Sequence, residues 1–302
     1  MNAPSAVLDP RQNAYRADLA DIRLRGRVES ARFVEGEMMR VVAAPAAPLR
    51  REPLIELGLE SELLHGETFR VFETKNGWAW GQNQSDGYVG YVPASALGPT
   101  GPEPTHRITA LRTPVYSEPD VRKRAVSALP LGALVAVAGT AETRGRPYLL
   151  LDGGGAIVAA HAAPLAAPRG GDFVAVAERF INCPYLWGGR TSLGLDCSAL
   201  VQLALAETGI AAPRDSYMQQ VALGAETKRP ATRRGDLIFW PGHVAIVAGP
   251  ERLVHASGHH MLVVSEPLAP ALERIGKLSG APVFRRLAGG AEVRRRGKGR
   301  EE

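Results

Sequence analysis

Residues 61–71, SELLHGETFRV, lie over residues 127–137, SALPLGALVAV, at a constant offset of 66, matching Leu63 with Leu129, Gly66 with Gly132 and Val71 with Val137. The same offset sets Val92 over Val158. A period of this length holds one small folded unit, so the front half of the chain is a tandem duplication. Each copy alternates short β-like runs with Gly, Pro and Asn turns. MMRVVAA, FRVFE, GWAWGQ and GYVGYV fall between 33 and 98, and RITALRT, ALVAVAG, YLLLDG and AIVAA between 107 and 166. That pattern predicts two small β-barrels.

Pro- and Gly-rich connectors, GPTGPEPTH (98–106) and AAPLAAPRGGD (162–172), bound the second copy. Beyond them the texture changes. FVAVAERFIN (173–182) reads as a short amphipathic helix capped by Asp172, and CSALVQLALAETG (197–209) as a helix that stops at Gly209. The runs DLIFW, HVAIVAG, RLVHAS and MLVVS follow as strands. Helices first and antiparallel strands after predict an α+β unit. The expected organisation is an N-terminal segment at 1–32, β-modules at 33–98 and 105–166, the α+β domain at 167–288 and a basic disordered tail at 289–302.

The formal net charge of +5 is concentrated in RRRGKGR (294–300), so the body is nearly neutral and nucleic acid is not an expected partner. The N-terminus lacks an apolar run behind a basic one, and no stretch is long and apolar enough to span a bilayer. A cytoplasmic location is therefore expected. Cys183 and Cys197 are too few for a disulfide framework, which fits a reducing compartment.

Cys197, in GLDCSAL (194–200), stands at a predicted helix start, where unpaired N–H groups and the helix dipole favour a thiolate. Its plain alternative is a small buried apolar residue. His243 opens a strand after a Pro-Gly turn, and His255 sits twelve residues on in the next strand. Such a pair can deprotonate a cysteine and orient the base that does so. Cys197, His243 and His255 could instead ligate zinc, but structural zinc sites bring ligands in close pairs, and these are widely separated. The doublet His259–His260 would point to opposite faces of a strand. No metal and no cofactor are expected.

CPYLWGGRTSLGLDCSALVQ (183–202), PRDSYMQQ (213–220), RRGDLIFWPGHVAIVAG (233–249) and RLVHASG (252–258), in that order and spacing, resemble the NlpC-type peptidase family of papain-like fold. The duplicated modules resemble bacterial SH3-like domains. Together the two parts resemble cytoplasmic γ-D-glutamyl-L-diamino acid endopeptidases that recycle cell-wall peptides. The resemblance implies an α+β protein: two small SH3-like β-barrels, then a papain-like catalytic domain with an antiparallel sheet. It implies Cys197 as nucleophile, His243 as base and His255 as the third, orienting member. Tyr185 would stand beside the thiol near the oxyanion site. Asp196 would hold the substrate's free α-amine, Ser198 would contact peptide, and Asp215 and Ser216 would line the same pocket. Helix capping competes for Asp196 and Ser198, a turn or N-cap for Asp215 and Ser216, and a buried, satisfied hydroxyl for Tyr185. Trp187 and Trp240 are expected in the core.

The repeat supplies an internal comparison. Glu67 of the first module faces Ala133 of the second, Tyr88 faces Gly154, and Tyr91 faces Ile157. A plain barrel needs no such groups, so the first module is the candidate for ligand contact. The resemblance implies an acid and a tyrosine there that bind the amine of an N-terminal L-Ala; Glu67 and Tyr88 are the matching positions, with Tyr91 as an alternative. The implied activity is hydrolysis of the γ-D-glutamyl–diamino acid bond in murein tri- or tetrapeptides with a free N-terminal L-Ala, without an obligatory protein partner or a membrane. Two other readings remain open: a papain-like amidase or acyltransferase acting on another amide or ester, and a cell-wall-binding protein with an idle catalytic block.

Overall fold

The structure is a computed structural model that describes residues 8–228 and 232–287. The tail expected at 289–302 lies outside the described residues.

The duplication is plain in the topology. In the first module a five-stranded sheet runs in the order Val89–Pro93, Trp78–Asn83, Thr68–Lys75, Glu37–Val41, Leu97–Pro99. The second module has the same order, interrupted at Ala136. Ala156–Val158, Arg146–Leu151 and Val137–Thr143 lie in one sheet, and Leu134–Val135, His106–Ile108 and Ala162–Pro164 in another. The hairpin of Ala46–Leu49 with Ser61–Leu64 has its counterpart in Arg112–Tyr116 with Ala125–Pro130. Leu63 and Leu129 are buried in two separate cores, as equivalent positions should be. Gly66 and Gly132 both adopt left-handed φ, +82° and +87°. At Gly66 a Cβ would lie 2.2 Å from the Leu134 carbonyl oxygen, so this glycine also lets the two modules touch.

The last strand of the second module, Ala162–Pro164, lies inside the module expected at 105–166 and takes up the start of the run read as a connector. The N-terminal segment is part of the first module: Ala14 and Leu19 pack with Phe72, Trp80 and Val89 in one buried cluster.

The third unit contains α1 (Phe173–Glu178), α2 (Cys197–Glu207), α3 (Ser216–Ala222) and α4 (Leu268–Ser279). Its six-stranded sheet runs Ala225–Thr227, Val283–Arg286, Leu237–Trp240, His243–Gly249, Arg252–Ser257, Leu262–Pro267, with antiparallel pairing throughout. Strand alternation divides the sheet's two faces. Leu237, Phe239, Val244, Ile246, Val254 and Ala256 pack with α1 and α2, whereas Ile238, Trp240, Ala245, Val247 and Leu253 pack under α4. α2 carries apolar residues around most of its circumference, and it is buried from Cys197 through Leu205. α1 ends earlier than the sequence suggests: after Glu178 the chain tightens into i→i+3 turns, Phe180 N–H to Ala177 O and Ile181 N–H to Glu178 O, and then turns at Asn182 with φ +73°. Among the described residues no helix is long and apolar enough to cross a membrane.

Candidate active site

Cys197 is the first residue of α2, as its sequence context predicts. The Asp196 side chain caps the helix, with Oδ1 accepting from the Ala199 N–H at 2.8 Å. The thiol lies against the start of the strand His243–Gly249, where the Val244 N–H donates to it, as does the Ser198 N–H. Its ionisation differs from expectation. Cys197 is only 6% exposed, and burial, reinforced by the Asp196 charge, pushes the thiol up to about 12. A helix terminus contributes about 0.3–2 kcal/mol towards a thiolate, less than the desolvation that opposes it in so closed a site. At neutral pH the resting sulfur therefore carries its proton.

The two histidines come together. His243 Nε2 meets His255 Nδ1 at 2.7 Å, and His255 Nε2 meets Glu266 Oε1 at 2.7 Å. The rings stand edge to face, with centroids 5.0 Å apart, and Trp240 packs against His243. Burial, followed by the neighbouring His255 and Arg274, presses His243 down to about 3, and burial lowers His255 as well. Both imidazoles are neutral at pH 7. Since Nε2 of His243 is engaged, Nδ1 is the atom left for the thiol. Asp196 exerts its charge on His243, on Cys197 and on Tyr185, which places all three groups around one carboxylate. No Sγ–imidazole hydrogen bond forms among the described residues; such contacts commonly tighten only when substrate is bound.

Asp196 does not present a free carboxylate to an ammonium. Its Oδ1 accepts from Ala199 N, Ser198 Oγ and Arg214 Nη1, and its Oδ2 from Gly188 N and Arg214 Nη2. Those bonds use its acceptor capacity, so capping and an internal ion pair account for it. Ser198 is closed in the same way between Asp196 and Arg214. Arg214, 1% exposed, is the residue that sequence reasoning passed over. Its signal was present in PRDSYMQQ, where an arginine stands beside the acid that was singled out.

Glu67 likewise departs from expectation. It is buried and pairs with Arg190, Nη1 to Oε2 at 3.0 Å and Nη2 to Oε1 at 3.1 Å. It also accepts from the Leu64 N–H and from Ser85 Oγ, so it joins the modules and has no capacity left for a ligand. Tyr91 is engaged elsewhere: its hydroxyl accepts from Arg16 of the N-terminal segment.

Tyr88 does reach the catalytic unit. Its hydroxyl donates to Asp215 Oδ2 at 3.1 Å, and the charge of Glu60 acts on it. Asp215 occupies the cap position of α3 but makes no side-chain capping bond. It accepts instead from Tyr88 and from Arg11 of the N-terminal segment, at 3.3 Å, and burial pushes its carboxyl up. Ser216 is buried in the first turn of α3 beside it. Tyr185 is half-buried, and burial followed by Cys197 and Asp196 pushes its hydroxyl up. Trp240 is in the core as expected, but Trp187 is 61% exposed and borders a cavity of about 110 Å³ with Leu57, Leu59 and Glu60.

His259 and His260 occupy the hairpin turn after Ser257, not a strand, and their rings meet edge to face. No group of three His, Cys, Asp or Glu able to hold a metal ion occurs among the described residues. Both cysteines are free.

Comparison with known proteins matches this layout. Residues 49–97 match the bacterial dipeptidyl-peptidase SH3 domain, and residues 182–273 match the NlpC/P60 family. Dipeptidyl-peptidase 6 of Lysinibacillus sphaericus is 28% identical over 240 residues, covering 73% of this chain and 88% of that protein. Gamma-D-glutamyl-L-lysine dipeptidyl-peptidase of Bacillus cereus is 30% identical over 97 residues, covering 30% of this chain and 29% of that protein. A crystal structure of an NlpC/P60 family protein from Bacillus cereus shares the fold, with a TM-score of 0.68 at 20% identity over 82% of this chain and 99% of that one. Residues 182–273 thus carry an NlpC/P60 family domain, set behind a bacterial SH3 domain at residues 49–97.

Proposed function

We propose that the chain is a cysteine peptidase that hydrolyses the γ-D-glutamyl–L-diamino acid bond of murein peptides bearing a free N-terminal L-Ala, in cytoplasmic recycling of cell-wall fragments. The observation that carries this reading is the Tyr88–Asp215 contact, which brings the first SH3-like module against the catalytic unit within reach of the Asp196 charge beside Cys197; we read it as a wall at one end of the substrate site. Glu60 adds a second acid there. An end wall with carboxylates suits an ammonium, which would replace Arg11 as the partner of Asp215, and an amine capped by an acyl group lacks the charge to do so. The names of the two relatives described above, a dipeptidyl-peptidase and a gamma-D-glutamyl-L-lysine dipeptidyl-peptidase, support the same substrate class.

In this mechanism His243 Nδ1 takes the Sγ proton as sulfur attacks the γ-carbonyl of D-Glu. The Cys197 N–H and the Tyr185 hydroxyl donate to the developing oxyanion. His243 then passes its proton to the departing amine, the C–N bond breaks, and the thioester is hydrolysed by a water that His243 deprotonates. Because thiol and base both start neutral, proton transfer accompanies attack.

The test is mass spectrometry of L-Ala-γ-D-Glu-meso-diaminopimelate incubated with the full chain. Release of L-Ala-D-Glu and free diaminopimelate, lost in Cys197→Ala and with an N-acetylated peptide, is the expected result. Transfer of the acyl group to an added acceptor, or binding without cleavage, would replace this reading with an acyltransferase or a binding protein.

A further inference from the structure

Two neutral imidazoles in a row can share their protons in two ways. In one, both rings carry hydrogen on Nε2, so His243 Nε2 donates to His255 Nδ1 and His243 Nδ1 is bare. In the other, both carry it on Nδ1, so His255 donates to His243 and Nδ1 of His243, the one ring nitrogen left for the thiol, already holds a proton. Only the first arrangement contains a base. The 2.7 Å contact between His243 Nε2 and His255 Nδ1 is compatible with both, so whatever meets His255 Nε2 makes the choice.

That group is Glu266, with Oε1 2.7 Å from His255 Nε2. The fold places it there by cross-strand register. His255 pairs with Val264 and Leu253 with Glu266, so His255 and Glu266 are diagonal neighbours on one face of the sheet. Continuing the register Ile246–Val254 by one residue sets Ala245 opposite His255, which makes His243 its diagonal neighbour on the other side. The relay therefore crosses three adjacent strands along one diagonal. α4 then brings Arg274 back over Glu266, with Nη2 2.5 Å from the same Oε1. His260 approaches Oε2 from the adjoining turn at 3.6 Å.

We propose that Glu266, paired with Arg274, is the positioning residue that selects the Nε2–H tautomer of both histidines and so leaves His243 Nδ1 free to accept the Cys197 proton. An ionised carboxylate only accepts hydrogen bonds. Opposite it, His255 must carry its proton on Nε2, and the bare Nδ1 then requires a donor from His243. The hydrogen bond from His255 and the pairing with Arg274 hold Glu266 at about 2, so it stays ionised across the working pH range. When His243 becomes an imidazolium during attack, its new charge is separated from that carboxylate by a single ring. The inference rests on the proposed roles of Cys197 and His243.

The decisive experiment is a long-range proton–nitrogen correlation spectrum of the ¹⁵N-histidine-labelled full chain at pH 7. Wild type should show His243 and His255 both protonated on Nε2. Glu266→Gln offers an amide that can donate to His255 as well as accept. It should lose this single pattern at both rings and lower kcat on the order of 10²-fold with KM changed by less than about twofold. Arg274→Gln keeps the acceptor, and it should keep the pattern and far more of the activity. Wild-type tautomers and an unchanged kcat in Glu266→Gln would overturn the proposal. A proton on His243 Nδ1 in wild type would do so even if the variant failed to fold. The spectra need no substrate: the expected pattern in a chain that cleaves no murein peptide would sink the proposed function and leave the role of Glu266 standing.

Discussion

Arg190 and Glu67, 123 residues apart in sequence, form a two-pronged buried ion pair between the NlpC/P60 domain and the first SH3-like module. Neither side chain has appreciable contact with solvent, at 5% and 8% exposed. Arg190 Nη1 also donates to the Glu62 carbonyl, and its N–H to the Glu62 carboxylate. Truncating one partner strands a charge. Glu67→Ala is expected to cost about 3–5 kcal/mol of stability, whereas the double variant Glu67→Leu with Arg190→Met should recover most of that loss. Urea denaturation of the three variants checks it; a loss under about 1 kcal/mol for Glu67→Ala would show the pair to be merely incidental.

The wall at Tyr88 and Asp215 predicts a selective loss. Tyr88→Phe and Asp215→Asn should lower kcat/KM for a free-amine tripeptide by about 10–100-fold, the usual worth of a hydrogen bond to a charged group. They should relax discrimination against the N-acetylated analogue. Steady-state kinetics on both peptides measures this, and equal effects on the two substrates would place the ammonium elsewhere.

Cys197 is expected to behave as a buried thiol until substrate arrives. In a Cys183→Ala background, the rate of alkylation by iodoacetamide should keep climbing above pH 9, because burial sets the thiol at about 12. A plateau below pH 7 would instead reveal a resting thiolate–imidazolium pair.

Acid should weaken the fold through the same histidines. Both are held below their ordinary value of 6.5, His243 at about 3. Between those limits the unfolded chain binds more protons than the native one, so stability falls as pH drops from about 6.5 towards 3. Glu266, depressed from 4.5 to about 2, adds a loss of the same sign at the lower end of that window. Denaturation midpoints at pH 7, 5.5 and 4 should decline steadily, and His243→Gln should flatten the upper part of the decline.

Much of this arrangement could be read locally. Asp196 before Cys197 is a capped helix start, and the alternation through 237–247 is a two-sided strand, because both depend on neighbours a few residues away. The offset of 66 announces the duplicated module for the same reason: a repeat preserves its own short-range pattern. α4 carried a local signal too, with Leu268, Ala271, Leu272 and Ile275 at helical spacing before Gly280, and it was passed over. The strand Val283–Arg286 lay beyond such reading, being short and ending in charge.

What a titratable side chain does, by contrast, was decided by partners far along the chain. Glu67 and Asp196 have the composition of ammonium ligands, yet Arg190 and Arg214 occupy them. The Cys197 helix start promises a thiolate, yet the surrounding core keeps the proton on sulfur. Glu266 carries no local signal in the sequence; strand register sets it behind His255. Periodicity and capping are short-range properties that a sequence carries directly. Charge pairing and desolvation depend on which surfaces meet, and only the assembled modules determine that.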